Sequence, residues 1–318
     1  MSRLKGGVFL PIIETMTPGY PLFVLAALFS VLAASCSKPA PPSLPEGATL
    51  IDMSADAAQG EPNANLSQYL SERDQEAAFD SFLGSLLDDA GIPPDMARRI
   101  EAAAAEGPSF ILDLLVCLSG DPFLWILVDK AHPLPDGYAP ADLVTLSEGS
   151  YEVNRPGHRL RQVAADSLEE MAAAARTGGV TLIASSAYRS YEYQVDVYDR
   201  NVREMGREAA DRESARPGYS QHQLGLVVDF GAEDGSIGDH FAQTPAGRWM
   251  ASNAGTFGWS LSFPRNREAV TGYRWESWHY RYVGRDLAAF IDAYFDGVQQ
   301  YALQFIHEWV KRSEALSK

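Results

Sequence analysis

The chain has 318 residues, 46% of them hydrophobic, which is enough for one sizeable domain and a smaller one. A formal net charge of −16 argues against nucleic-acid binding through a basic surface and is compatible with an exported, soluble body. Cys36 and Cys117 are the only cysteines, so there is neither a disulfide scaffold nor a cysteine metal site.

Arg3 and Lys5 precede an apolar run from Pro21 to Ser35, about the length of a signal-peptide core and short for a membrane-spanning helix. The run ends Leu32-Ala33-Ala34-Ser35-Cys36, and a Pro-rich stretch follows. Small residues before a cysteine resemble a bacterial lipoprotein signal, although Ala33 stands where Leu is usual and Met16 is an alternative start. The expectation is a signal over residues 1–36, a lipid on Cys36 and attachment to the periplasmic side of the envelope. Ordinary signal cleavage and an uncleaved anchor stay open. Residues 37–65 read as a flexible tether.

Residues 66–120 read as helical. Leu66 to Asp89 carries apolar residues at helical spacing, and Gly91-Ile92-Pro93-Pro94 breaks it. Pro94 opens a second helix through about Ala105, and Ser109 caps a third from Phe110 to Leu118, which buries an inert Cys117. This region either packs on the catalytic domain or recruits a partner. Phe123 to Asp129 reads as a strand, Gln162 to Arg176 as a helix ended by Gly178-Gly179, and Val180 to Tyr188 as a strand. A helix from Tyr191 to about Arg207, a strand from Leu224 to Phe230, a helix from Thr244 to Ala254 and a strand from Phe257 to Phe263 follow. Asp286 to Phe295 begins a helical tail that runs to about Ala315, with a break at Gly297. Helices and strands in irregular order predict an α+β domain over 121–297 with an antiparallel sheet as cleft floor, and a tail over 298–318.

The chemistry lies in two short stretches. His222 is followed seven residues on by Asp229, in an apolar, β-branched run, and Glu276 stands three residues before His279. Two His and one carboxylate with an open fourth position form a hydrolytic zinc set, and the remaining Glu is the natural base. An unpaired Asp229 in a buried strand would cost several kcal/mol, so it needs a cation or a strong hydrogen-bond partner. Odd spacing in a strand places Glu276 and His279 on opposite faces, so a bulge or turn near Ser277 is required if both face one cleft. His132, His158, His240 and His307 read as structural.

Ser186-Ala187-Tyr188-Arg189-Ser190, the run Ser220 to Asp229, the stretch Thr271 to Gly284 and the opening segment Lys130 to Pro135 together resemble the VanY-type D-alanyl-D-alanine carboxypeptidases, zinc peptidases that share a fold with lysostaphin and the Hedgehog domain. The likeness runs from about Leu127 to about Phe290. It implies a central antiparallel sheet with flanking helices and one zinc ion bound by His222, Asp229 and His279. It also implies Glu276 as base and Arg189 beside the scissile carbonyl; the bland alternative for Arg189 is an ion pair with Glu192 or Asp196. Gln194 and Ser220 are implied substrate contacts, with a local turn bond as the alternative for Ser220. Trp278 and Tyr273 are expected in the cleft wall. The implied substrate is a peptidoglycan stem peptide, trimmed by one D-amino acid at a D-Ala-D-Ala or an L,D bond. An endopeptidase acting on cross-links and a non-catalytic cell-wall-binding lipoprotein stay open as alternatives, and no obligate protein partner is readable.

Overall fold

Strand β5 (Val227–Gly231) is the middle of a five-stranded sheet and is buried along its whole length. The computed structural model describes residues 72–316; these divide into residues 72–85 and a unit over Leu86–Leu316, which carries the sheet. The signal, the tether and Cys36 lie outside the described residues. Among the described residues no helix is long and apolar enough to cross a membrane.

The sheet order is β2 (Glu152–Val153), β4 (Ile183–Ser186), β5, β7 (His279–Tyr282) and β6 (Trp259–Leu261). All neighbours pair antiparallel except β2 with β4, which is a short parallel contact. A separate two-stranded ribbon joins β1 (Leu143–Thr145) to β3 (Arg159–Arg161). The α+β architecture with an antiparallel centre is therefore as expected, and the parallel β2 edge is an addition.

Alternation along β5 gives the sheet two different faces. Val228 and Phe230 join the apolar core, where Leu168, Met171, Ala172 and Ala175 of helix α5 (Gln162–Thr177) also lie fully buried. Those positions recur at helical spacing, which is why this segment forms an amphipathic helix. Gly178 and Gly179 end it, the latter at φ 74°. Asp229, between Val228 and Phe230, projects to the opposite face.

Two expectations need correction. Phe123 to Asp129 is not a strand: Pro122–Trp125 forms one helical turn, α4, capped by Asp121 on the Phe123 amide, and residues 126–128 run on without a ladder. The carbonyls of Phe123, Leu124 and Ile126 instead accept from the guanidinium of Arg281 on β7, at 3.0–3.1 Å. Ser109 caps nothing; it is the first residue of α3 (Ser109–Leu118), with Pro108 before it and no side-chain cap. The helix expected from Tyr191 to about Arg207 is present as α6 (Tyr191–Met205), and a further short helix, α7 (Arg207–Glu213), follows it because Gly206 turns at φ 84°.

The helices before the sheet domain pack on the tail. Phe110 of α3 is fully buried against Phe290 and Tyr294 of α10 (Arg285–Tyr294) and Phe305 of α11 (Gln299–Leu316), with ring centroids 4.9–5.7 Å apart. Arg99 of α2 (Pro94–Glu106) pairs with Asp296, and the Tyr294 hydroxyl donates to Asp113. Burial pushes the Cys117 thiol up to about 12, in keeping with an inert residue. Phe110→Ala should destabilise this unit by about 3–5 kcal/mol, the usual cost of emptying an aromatic core site. The measurement is the denaturant midpoint, which should fall while the slope of the transition is unchanged.

Candidate metal centre and cleft

Strand register assembles the site. Asp229 on β5 lies directly opposite His279 on β7, and opposite Ser186 on β4 on its other side. His222 arrives on a 3-10 turn (Gln221–Leu224) that leads into β5. Gly225 makes that junction at φ 69°, where a Cβ would stand 2.9 Å from the Leu143 side chain. Ser277 and Trp278 form the turn that the odd spacing requires, closed by the His279 amide on the Glu276 carbonyl at 3.3 Å. Glu276 is thereby brought to the same side as His279, its Oε2 3.4 Å from His279 Nδ1.

The donors converge. His222 Nε2 lies 3.2 Å from Asp229 Oδ2, and His279 Nδ1 lies 3.1 Å from Asp229 Oδ1. The rings stand nearly perpendicular with centroids 5.0 Å apart, and the three ligand atoms lie within 4.8 Å of one another. Each imidazole is oriented from behind. His222 Nδ1 donates to the Ala187 carbonyl at 2.7 Å, which leaves the Nε2 lone pair facing Asp229. His279 Nε2 donates to Gln221 Oε1 at 3.2 Å, which leaves Nδ1 facing Asp229. Such outer partners fix tautomer and ring orientation in metal sites.

Electrostatics agree with a cation-seeking site. Burial, then the nearby Arg189 charge, pull the His222 pKa down to about 4. Burial also acts to lower His279, but its contacts with Asp229 and Glu276 win and raise it to about 9. Burial acts to raise Asp229, yet the two imidazoles hold it well below the usual carboxylate range. Asp229 is thus ionised at 3% exposure, and its Oδ1 is buried without an aligned hydrogen bond despite the nearby imidazole. Two oriented imidazole nitrogens around an orphaned carboxylate oxygen fit a divalent cation of the zinc type.

Arg189 is a cleft residue. Its Nη2 lies 2.8 Å from Asp229 Oδ2, and its Nε and Nη2 donate to Ser186 Oγ. Its partner is therefore Asp229 and neither Glu192 nor Asp196. Gln194 is 1% exposed on the cleft wall; its Nε2 donates to the Ala215 carbonyl and Ser214 Oγ, and its Oε1 has no partner. Ser220 lines the cleft, and its side chain makes no capping bond to the turn. Trp278 and Tyr273 are buried in the cleft wall, as expected. The other four histidines stay outside the cluster: His132 pairs with Asp129, His158 with Asn154, His240 with Ser236, and His307 packs on the His132 ring.

Sequence reasoning missed the supports. Gln221 Oε1 accepts from Ser262 Oγ at 2.8 Å as well as from His279, and Phe263 packs 4.6 Å from the His279 ring. Arg274 braces the cleft rim through Glu213 and Asp239. Polar residues in turns carry no periodic signal; only the adjacency of Gln221 to His222 pointed there.

Residues 157–285, which contain the whole site, match the VanY family, described as D-alanyl-D-alanine carboxypeptidase. The D-alanyl-D-alanine carboxypeptidase of Enterococcus faecalis is 32% identical over 224 residues, 65% of this chain and 79% of that one. The chain belongs to the VanY family. YodJ of Bacillus subtilis is 36% identical over 184 residues, 55% of this chain and 67% of its own length. The solved structure of the D,D-dipeptidase VanXYg, in complex with a D-Ala-D-Ala phosphinate analog, matches at 26% identity with a TM-score of 0.50, covering 57% of this chain and 70% of that one.

In this VanY-family site Gln221 is the brace of one ligand. Gln221→Ala should leave the fold intact and weaken zinc binding about 10- to 100-fold, as loss of an outer partner typically does. A competition titration against a chelator of known affinity measures this.

Proposed function

We propose that the protein is a zinc-dependent carboxypeptidase that hydrolyses the terminal peptide bond of peptidoglycan stem peptides and releases a D-amino acid. The observation that carries this reading is Glu276. A carboxylate placed 3.4 Å from a ligand imidazole, yet outside the three-ligand cluster, has the position of a base. The family membership and the D-alanyl-D-alanine carboxypeptidase relative support the substrate class. Whether the bond is of D,D or L,D type depends on pocket contacts with the residue before it. The same site also accommodates an endopeptidase that cuts cross-links.

His222, Asp229 and His279 would hold the zinc, which when bound supplies the Lewis acidity that makes water a nucleophile near neutral pH. Glu276 accepts the proton of the attacking water on a carboxylate oxygen and passes it to the departing amine. Arg189 is fixed by Asp229 and Ser186 through Nε and Nη2. Its Nη1 remains for the oxyanion that develops on the scissile carbonyl. The Ser220 hydroxyl donates to the terminal carboxylate of the peptide, and the unpartnered Gln194 Oε1 accepts from its backbone.

Incubation with defined muropeptides, with and without a chelator, should release a single D-amino acid only in the metal-loaded sample, as read by mass analysis. Glu276→Gln should keep its zinc while turnover falls about 100- to 10,000-fold. The His222→Ala/His279→Ala double variant should lose both. A non-catalytic wall-binding protein would instead bind muropeptide equally well as wild type and as Glu276→Gln, and neither would release product. Near-wild-type turnover by Glu276→Gln would sink the mechanism.

The place of action is part of the proposal: export, with a lipid on Cys36 holding the enzyme at the envelope. Cys36→Ala should abolish incorporation of labelled palmitate and release the protein from the membrane fraction. Unchanged labelling would overturn the lipid assignment.

A further inference from the structure

A second cavity lies beside the metal cleft, walled by Lys130, Asp211, Ser214, Arg216, Tyr219 and Tyr273. Ser214, Tyr219 and Tyr273 also line the cleft, so the two cavities share a wall. No member of the metal cluster reaches the second one.

The charges there are unequal. Both guanidinium contacts of Arg216 go to the Asp211 carboxylate, at 2.8 and 3.1 Å, and the Tyr198 hydroxyl donates to the same group. Among the described residues Lys130 forms no ion pair with a carboxylate: its ammonium donates to the Asp211 carbonyl and stands 4.5 Å from the centroid of the Tyr273 ring. Its stem is held against Gly272, where a Cβ would lie 3.0 Å from the lysine Cδ. Beside it the Tyr273 hydroxyl is buried with no hydrogen-bond partner. Two cations face one carboxylate, within a chain whose formal charge is −16. With Arg216 engaged by Asp211, the ammonium of Lys130 is the charge left on this wall of the cavity for an anion carried by the substrate.

We propose that this cavity, with Lys130 as its charged contact, is a subsite for a carboxylate on an internal residue of the stem peptide; the proposal rests on the peptidase reading above. The terminal carboxylate lies one residue from the reacting carbonyl and must stay near the metal cluster, so a group that reaches Lys130 belongs to a residue farther along the peptide. Stem peptides carry such groups: a γ-linked glutamyl residue leaves its α-carboxylate free, and a diamino-dicarboxylic residue has a second one. The competing role for Lys130 is purely structural, a cap on the Asp211 carbonyl near the end of α7.

Lys130→Met keeps the length and apolar packing of the stem and removes the charge. Two stem peptides serve as probes, each as a pentapeptide and as a tetrapeptide, one with its internal carboxylates free and one with them converted to carboxamides. Wild type should prefer the acid in kcat/KM, mainly through KM, and in Lys130→Met that acid-to-amide ratio should fall about 10-fold or more, the scale of a charge-assisted hydrogen bond. A structural cap would change both rates and leave the ratio where it was; that result, or a wild type indifferent to the carboxylates, overturns the subsite. If wild type cleaves neither peptide, the peptidase reading fails, and calorimetric binding of the same two peptides decides the subsite alone. Tighter binding of the acid that is lost in Lys130→Met sustains it, and equal binding overturns it.

Discussion

Asp229 occupies the middle strand of the sheet at 3% exposure, where an ionised carboxylate without partners would cost several kcal/mol. Three neighbours offset that cost, and each ties a different segment to β5. Arg189 draws the loop after β4 across the strand, His279 faces Asp229 from β7, and His222 closes in from the 3-10 turn. A slip of one residue in the β5–β7 register would send the carboxylate into the apolar core and Val228 and Phe230 into the cleft. The fold and the site are therefore specified by the same pairing.

The two imidazoles present different nitrogens, His222 its Nε2 and His279 its Nδ1, and in each the remaining nitrogen is anchored to a carbonyl oxygen. The anchor of His279 reaches far back. Gln221 is oriented by Ser262, Ser262 lies 3.4 Å from Gln299 Oε1, and Gln299 Nε2 donates to the Ser260 carbonyl. Gln299 opens helix α11, so the tail contributes to the rear of the metal site as well as to the aromatic packing around Phe110. That explains physically why the tail belongs to one unit with the sheet.

What the sequence revealed had local causes. Helix ends at Gly178-Gly179, the break at Gly297 and the start at Pro94 were legible because Gly and Pro act through their own backbone. Asp229 stood out because a charged residue in an apolar run must be paired or must bind a cation, its grouping with His222 and His279 was implied by the resemblance, and the turn at Ser277 followed from strand parity. Residues 123–129 were misread because their apolar composition suits a strand, while their carbonyls are claimed by Arg281, more than 150 residues away in the chain. Ser262 was invisible for the same reason, and Gln221 was marked only by its place beside His222: a polar residue that supports another through space leaves no periodic trace.

Arg281 shows what holds the segment that was misread as a strand. It lies two residues after His279 on β7, on the same face by strand alternation, and it is fully buried. Burial pulls its pKa down to about 9, and no carboxylate pairs with it among the described residues. Its Nη2 is met by three carbonyls from the turn at Pro122–Trp125 and just beyond, while Nε and Nη1 have no partner. Backbone dipoles hold the arginine, and in a ladder those carbonyls would be turned to a neighbouring strand, so the irregular segment that replaces the expected strand is the arrangement that satisfies a buried cation on β7.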